Sequence, residues 1–261
     1  MLKIENLSVC YPGNQLASVD NFNLTIKHGE IVGIVGESGS GKSTVLKAIL
    51  GALPKQTKIL GEIRLEEDSL LKQSSEQWQK MRGTKLSLIF QDSSSALNPI
   101  RKIGSQYEEY ILQHRSLSKE EAHSKAKEML LKMQLSDPES ILGSYPHQLS
   151  GGMCQRVGIA MAMTFTPQLL LADEPTSALD VVTQKQIVEE LLRVRKMYNT
   201  SILMVTHNLA MAAYMADHLV VMERGKIVDS GTVLEVLQTP KSDYTKKLLL
   251  AVPELGGELC G

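Results

Sequence analysis

The stretch Gly36-Glu37-Ser38-Gly39-Ser40-Gly41-Lys42-Ser43-Thr44 places a glycine ahead of Gly-Lys-Ser with four residues between them, the spacing of a phosphate-binding loop. Glycines let the backbone curl so that successive N–H groups converge on phosphate oxygens. The N-terminus of a following helix adds favourable partial charge. In such a loop Lys42 reaches the β- and γ-phosphates, and the Ser43 hydroxyl binds Mg²⁺. A second pair of chemical interest is Asp173-Glu174, two carboxylates directly behind the apolar run Leu169-Leu170-Leu171-Ala172. At the C-terminal end of a buried parallel strand, where ligands sit, adjacent carboxylates suit two tasks. Asp173 can hold Mg²⁺ through water, and Glu174 can polarise a water that attacks a γ-phosphate.

Three further signals are weak when taken singly. Leu149-Ser150-Gly151-Gly152-Met153 opens a helix read over Val157 to Met163, with Ser150 suited to the N-cap, but many helices begin with Ser-Gly. His207 closes the run Val205-Thr206-His207, where it can donate to a γ-phosphate and position water or Glu174. Alone, a histidine there reads as structural. Gln91 follows another strand and has a side chain able to ligate Mg²⁺ and sense a γ-phosphate. Alone it is a loop glutamine.

These residues need a scaffold, and the hydrophobic pattern supplies one. Residues 2–9 alternate as a strand before a turn at Pro12-Gly13-Asn14. Phe22 to Ile26 alternates again, and Ile31 to Val35 is a short buried strand entering the phosphate loop, with a helix from Thr44 to Leu50 ending at Gly51. Strands follow at Gly61 to Leu65 and Leu86 to Phe90. From 93 to 155 the character changes: Ser93-Ser94-Ser95 opens a loop, and polar–apolar helices follow. One has Ser118 and Glu121 as a capping box and an apolar stripe of Ala126, Met129, Leu130 and Met133, read as helix packing. The α/β pattern then resumes with strands at Leu169 to Ala172 and Ser201 to Val205. Helices are expected at Val181 to Met197 and Asn208 to Ala216, and a hairpin from His218 to Glu223 and Lys226 to Asp229 around Arg224-Gly225. The tail from Thr232 is mostly helical, broken at Pro240 and Pro253.

The 261 residues suffice for a substantial core in one α/β domain with a helical insertion. Twenty-eight Lys and Arg against twenty-nine Asp and Glu leave a formal charge of −1, which gives no electrostatic footprint for nucleic acid or an anionic bilayer. Cys10, Cys154 and Cys260 show no metal-ligand spacing and read as two packed small side chains and a tail thiol, in keeping with a reducing compartment. The first residues lack a signal-peptide pattern. No apolar stretch reaches the roughly 18 residues of a membrane span: the most apolar segment, Ile159 to Ala172, is broken by Thr164, Thr166, Pro167 and Gln168. Any membrane part of the system is expected on another chain.

In combination the motifs carry more. A phosphate loop, Gln91, Leu149-Ser150-Gly151-Gly152, Asp173-Glu174, Ser177-Ala178-Leu179-Asp180 and His207, in this order and across essentially the whole chain, resemble the nucleotide-binding subunit of ABC transporters. The resemblance implies an α/β P-loop NTPase fold of the ABC type, with an antiparallel β subdomain and a helical insertion. It implies one ABC ATPase domain over 1–261: an ATP-binding core at about 1–92 and 156–240, the insertion with the signature motif at about 93–155, and a tail over 241–261. ATP and Mg²⁺ are the implied cofactors. Tyr11 occupies the position of an aromatic that stacks on adenine. Members work as head-to-tail dimers, so Ser150, Gly151 and Gly152 are expected to serve the partner's nucleotide, and Asp180 to lie across the dimer seam.

A finer similarity concerns Phe90-Gln91-Asp92, Leu97-Asn98-Pro99 and the tail from Asp229-Ser230-Gly231-Thr232 through Tyr244 to Ala251-Val252-Pro253, which look like the peptide/nickel branch of importer ATPases. Methionine after the two glycines is similar to the first of the two ATPases that commonly pair there. A heterodimer with a second ATPase is therefore expected, together with two membrane permeases and, indirectly, an extracytoplasmic solute-binding protein. The location implied is the cytoplasmic face of the membrane. Peptide importers often carry a cysteine-rich tail, and this chain has only Cys260 there, which favours nickel or a metal chelate over peptides. The alternatives are an exporter ATPase, or a soluble ABC protein acting on DNA or ribosomes; the latter usually has a long coiled-coil insertion or tandem cassettes, and this chain has neither. A regulatory ATP-binding module is disfavoured because every catalytic position is filled. A small-molecule kinase does not need Ser150-Gly151-Gly152.

Overall fold

The computed structural model describes residues 1–251. The chain opens with β1 (Leu2–Cys10), β2 (Val19–Ile26) and β3 (Ile31–Val35), then enters α1 (Lys42–Ile49) through the phosphate loop. β4 (Lys58–Leu65) and β5 (Asp68–Ser69) complete a four-stranded antiparallel sheet of order β2-β1-β4-β5. After α2 (Ser75–Met81) and β6 (Leu86–Ile89) comes a helical stretch: α3 (Ser93–Ala96), α4 (Ile103–His114), α5 (Lys119–Lys132), α6 (Pro138–Gly143) and α7 (Gly151–Met163). The remainder is β7 (Leu169–Asp173), α8 (Val181–Tyr198), β8 (Ser201–Thr206), α9 (Leu209–Met215), β9 (His218–Glu223), β10 (Lys226–Thr232), α10 (Val233–Gln238) and α11 (Asp243–Leu250). A second sheet has the order β10-β9-β3-β8-β7-β6, parallel throughout except for the β9–β10 hairpin.

Side-chain alternation explains why the central strands read as unbroken apolar runs. Ile31 and Val35 of β3, Leu170 and Ala172 of β7, and Ile202 and Met204 of β8 face the helical side, where α4, α5, α7 and α8 pack. Their neighbours Val32, Ile34, Leu169, Leu171, Leu203 and Val205 face the other way, onto α1 and the antiparallel sheet. A parallel sheet covered on both faces needs apolar residues at every position. β1 has one buried face and therefore alternates, with Leu2, Ile4, Leu7 and Val9 inside.

Several boundaries differ from the sequence reading for local reasons. α1 starts at Lys42 rather than Thr44, because Gly41 takes a left-handed backbone (φ 106°) that launches the helix at once. Ser93-Ser94-Ser95 is not a loop: Asp92 accepts from the Ser94 and Ser95 amides and caps α3. α7 begins at Gly151 rather than Val157, capped as expected by Ser150, whose oxygen accepts from Met153 N at 3.2 Å, and it runs unbroken across position 155. β2 and β4 start three residues earlier than read; β5 is only two residues long, and α2 is opened by a Ser74–Gln77 capping box that the sequence reading passes over. The hairpin turn at Arg224-Gly225 is as expected, with φ of 48° and 82°, the twist that matches right-handed strands. Pro240 separates α10 from α11; Pro253 and Cys260 lie outside the described residues. Cys154 is buried and Cys10 half-buried, both as free thiols.

The Ser118–Glu121 capping box is present, and α5 is tied to both its neighbours by His123. The His123 Nδ1 lies 2.7 Å from Glu108 Oε1 on α4 and its Nε2 3.1 Å from Glu139 Oε2 on α6, with Lys127 Nζ 2.5 Å from Glu139 Oε1. The hydrogen bond that His123 donates to Glu108, more than the one it donates to Glu139, raises the imidazole above its usual value of 6.5. A raised folded-state value means stability present below pH 6.5 and lost as pH rises through the raised value. His123→Gln is therefore expected to lower Tm more at pH 6 than at pH 8.5. Equal losses at the two pH values would show that the charged form contributes nothing.

Candidate functional site

Four neighbouring parallel strands end at one edge of the large sheet. In spatial order they are β3, β8, β7 and β6, and they deliver respectively the phosphate loop, His207, Asp173-Glu174 and Gln91. The register pairs Val35 with Thr206, Asp173 with Val205, and Ile89 with Ala172. Residues from four separated stretches of sequence thus meet beyond one line of strand ends, the expected ligand position in a parallel α/β sheet.

The phosphate loop is held by its own backbone chemistry. A side chain at Gly36 would strike the Met222 carbonyl, and one at Gly41 would lie 2.6 Å from the Ser18 carbonyl oxygen, so both positions need glycine. Lys42 is buried, 5% exposed, and its Nζ donates to the Gly36 and Glu37 carbonyls at 2.7 and 2.8 Å, with Ser40 Oγ at 3.4 Å. Burial lowers the ammonium from its usual value, while the charges of Glu174, Asp173 and Glu37 pull it back up. A cavity of about 290 Å³ opens here, lined by Gly39, Gly41, Lys42, Ser43, Thr44 and Glu174 among others. Converging amides and a buried cation suit a polyphosphate.

The acidic pair sits opposite. Asp173 Oδ1 is 3.5 Å from Ser43 Oγ, and burial, then the neighbouring Glu174 charge, pushes the Asp173 carboxyl up. These oxygens fit Mg²⁺, which is typically held by one or two carboxylates plus phosphate oxygens and water. Among the described residues no group of three or more His, Cys, Asp or Glu forms a cage, so such an ion would depend on the nucleotide. Glu174 has a left-handed backbone, φ 44°, with its amide bonded to Val205 O at 2.9 Å. A non-glycine residue in that region is held there by its surroundings. Its Oε2 lies 3.0 Å from His207 Nδ1.

The remaining expected residues fall in two places. Tyr11 stands beside the loop, its hydroxyl 3.4 Å from Thr44 Oγ1. Gln91 is exposed beyond β6. Ser150, Gly151 and Gly152 are not among the residues lining the phosphate-loop cavity. They cluster instead with the start of α8, where a Cβ on Gly152 would lie 2.6 Å from Thr183 Cγ2. Asp180 caps α8, accepting from the Val182 and Thr183 amides at 3.1 and 3.0 Å and from Thr183 Oγ1 at 2.6 Å.

One residue that the motif reading passes over is Gln155, 2% exposed on α7. Its Nε2 donates to Phe90 O at 3.1 Å and Pro175 O at 2.9 Å, and its Oε1 accepts from Ser93 N at 3.3 Å. The helix bearing Ser150 is thereby fastened to the backbone on both sides of Gln91 and to the residue after Glu174. No spacing rule marks it, because the partners are backbone groups brought together only by the fold.

A phosphate loop, an acidic strand end and a separate glycine-opened helix on this sheet define a P-loop nucleotide-binding cassette. The family profile described as ABC transporter matches residues 19–177, and the chain belongs to that family. It is 40% identical over 265 residues to the glutathione import ATP-binding protein GsiA of Escherichia coli (strain K12), covering 98% of this chain and 42% of that protein. To the oligopeptide transport ATP-binding protein OppD of Lactococcus lactis subsp. cremoris it is 38% identical, over 97% of this chain and 76% of that one. The chain thus spans less than half the length of the glutathione relative. Among solved structures, the dimeric post-hydrolysis state of the ATP-binding cassette MJ0796 bound to ADP and Pi matches at a TM-score of 0.77 and 30% identity, over 89% of this chain and 99% of that one. The cbiO1 protein of Clostridium perfringens, part of an ABC transporter complex, matches at 0.79 and 25%, over 97% and 95%.

Replacing Gln155 with leucine leaves Phe90 O, Pro175 O and Ser93 N without their partner. Each buried group left unpaired costs about 1–3 kcal/mol. A Tm fall of about 4 °C or more is expected, measured by thermal unfolding. An unchanged Tm would mean that these groups find other partners.

Proposed function

We propose that the chain is the ATP-hydrolysing subunit of an ABC importer. The observation that carries this reading is the meeting of Lys42, Ser43, Asp173, Glu174 and His207 at one edge of the sheet. ATP with Mg²⁺ supplies a γ-phosphate made electrophilic by the metal; Ser43 and Asp173 are the residues to hold that ion, with Gln91 as a further ligand. Lys42 moves from its loop carbonyls to the phosphates, and the loop amides from Ser38 to Thr44 cradle them. Glu174 takes the role of general base toward the attacking water, and His207, hydrogen-bonded to its carboxylate, orients it. Tyr11 stacks on adenine.

Ser150, Gly151 and Gly152 form an anion-suited helix end away from this chain's own loop cavity. That separation supports a head-to-tail pair in which each signature faces the partner's nucleotide, with Asp180 at the seam. The partner is a second, related ATPase, and the complex includes two permeases and, indirectly, a solute-binding protein. Among the described residues no helix is long and apolar enough to cross a membrane, in keeping with a subunit at the cytoplasmic face whose spans lie on the permeases. A largely apolar groove of about 480 Å³, lined by Phe90, Leu97, Tyr110 and Met161 among others, adjoins Gln91; we assign it to a cytoplasmic helix of a permease. The names of the glutathione and oligopeptide relatives favour a small peptide as cargo over the nickel or metal chelate expected from the tail.

Glu174→Gln is expected to bind ATP yet turn over at least about a hundredfold more slowly, accumulating as a closed dimer on gel filtration. Near-normal phosphate release would remove Glu174 from the catalytic role. Lys42→Ala is expected to weaken ATP binding at least about tenfold, and unchanged affinity would overturn the loop assignment. The importer reading is tested by recovering the tagged chain from its native membranes. Two permeases, a second ATPase and a solute-binding protein that takes up peptides support it; ribosomes or DNA-repair factors in their place overturn it.

A further inference from the structure

α11 reaches the phosphate loop through the Tyr244 side chain. The first turn of α11 is fixed from three directions. Buried Asp229 on β10 accepts from the Lys241 and Ser242 amides at 2.8 and 3.2 Å through one oxygen. Ser242 Oγ caps the helix by accepting from Thr245 N at 3.1 Å, and Thr245 is fully buried. From this anchored turn the Tyr244 hydroxyl accepts a hydrogen bond from Glu37 N at 2.9 Å, across 207 positions of sequence.

That N–H belongs to the peptide unit joining Gly36 to Glu37, whose carbonyl oxygen accepts Lys42 Nζ at 2.7 Å. One peptide plane in the first turn of the loop is therefore pinned at both ends, by Tyr244 on its N–H and by Lys42 on its oxygen. When Lys42 leaves its carbonyls for a phosphate, the tyrosine is the tie that remains. We propose that Tyr244 is a positioning residue for the phosphate loop: it holds the Gly36–Glu37 peptide in its curled orientation, so that less order has to be gained when a nucleotide binds. α11 is then a component of the nucleotide site. This rests on the loop being a polyphosphate site, and it adds a residue that neither the phosphate-loop motif nor the acidic strand end includes.

The contact is to the loop's opening turn and not to a γ-phosphate sensor, so it acts alike on di- and triphosphates. Tyr244→Phe keeps the ring and removes only the hydroxyl. In the full chain its Kd for fluorescent ATP and ADP analogues is expected to rise about two- to tenfold, equally for both, the size of one lost hydrogen bond. Tm should stay within about 1 °C of wild type, and KM for ATP should rise with kcat kept. Tyr244→Ala, which also removes a ring that packs against the buried core on the helical side of the sheet, is expected to lower Tm as well. Unchanged affinity in Tyr244→Phe, with wild type binding normally, overturns this inference alone. A loss confined to ATP also overturns it. A wild-type chain that binds neither nucleotide overturns the phosphate-loop reading and this inference with it.

Discussion

Lys42 carries a positive charge to a place where little of it meets water, and much of the structure answers that demand. An ammonium group cannot be taken from solvent without partners, and here its partners are the carbonyls of its own loop, with the charges of Glu174, Asp173 and Glu37 close by. For carbonyls to turn inward, the loop must curl tightly, which requires glycine at Gly36 and Gly41 against the Met222 and Ser18 carbonyls. For carboxylates to stand opposite, β7 must end level with β3 across β8. The sheet order and the two-faced burial of its strands follow from the same requirement, since a short parallel strand holds its position only when both faces are packed. The cation is in turn held in waiting: the groups that stabilise it without ligand are weaker partners than phosphate oxygens.

Much of this was legible in the sequence, and the limits have physical causes. Unbroken apolar runs at Ile31 to Val35, Leu169 to Ala172 and Ser201 to Val205 announce strands covered on both sides, because nothing else requires apolar residues at consecutive positions. Phosphate-loop spacing is legible because the chemistry is local to nine residues. The start of α7 was misplaced because Gly151-Gly152 has poor helix propensity; the Ser150 cap and the packing of Cys154, Gln155 and Val157 prevail over it. α3 was missed for a related reason, serines being as suited to turns as to a capped helical turn. Gln155 and Tyr244 were beyond reach in a different sense. Each acts on backbone groups far away in sequence, and a side chain that recognises a carbonyl or an amide leaves no complementary residue type to be noticed.

The helical stretch from α3 to α7 packs over one face of the sheet in a continuous apolar core, and its polar ties sit at specific places. Gln155 fastens it to the ends of β6 and β7, and beside that tie α3 approaches α7 closely at Gly158, where Ser93 leaves no room for a Cβ. Both lie next to Gln91 rather than at the far end of α4 and α5, where the His123 clasp ties helix only to helix. The stretch is thus tied internally at His123 and to the nucleotide edge of the sheet at Gln155.

Gly152 and Thr183 meet closely enough that no side chain fits between α7 and the first turn of α8. Because Thr183 also ties back to Asp180, the two helix starts share one steric allowance rather than two. Alanine or serine at position 152 therefore fits only with a smaller residue at 183, or with Thr183 turned out of its present rotamer and off Asp180.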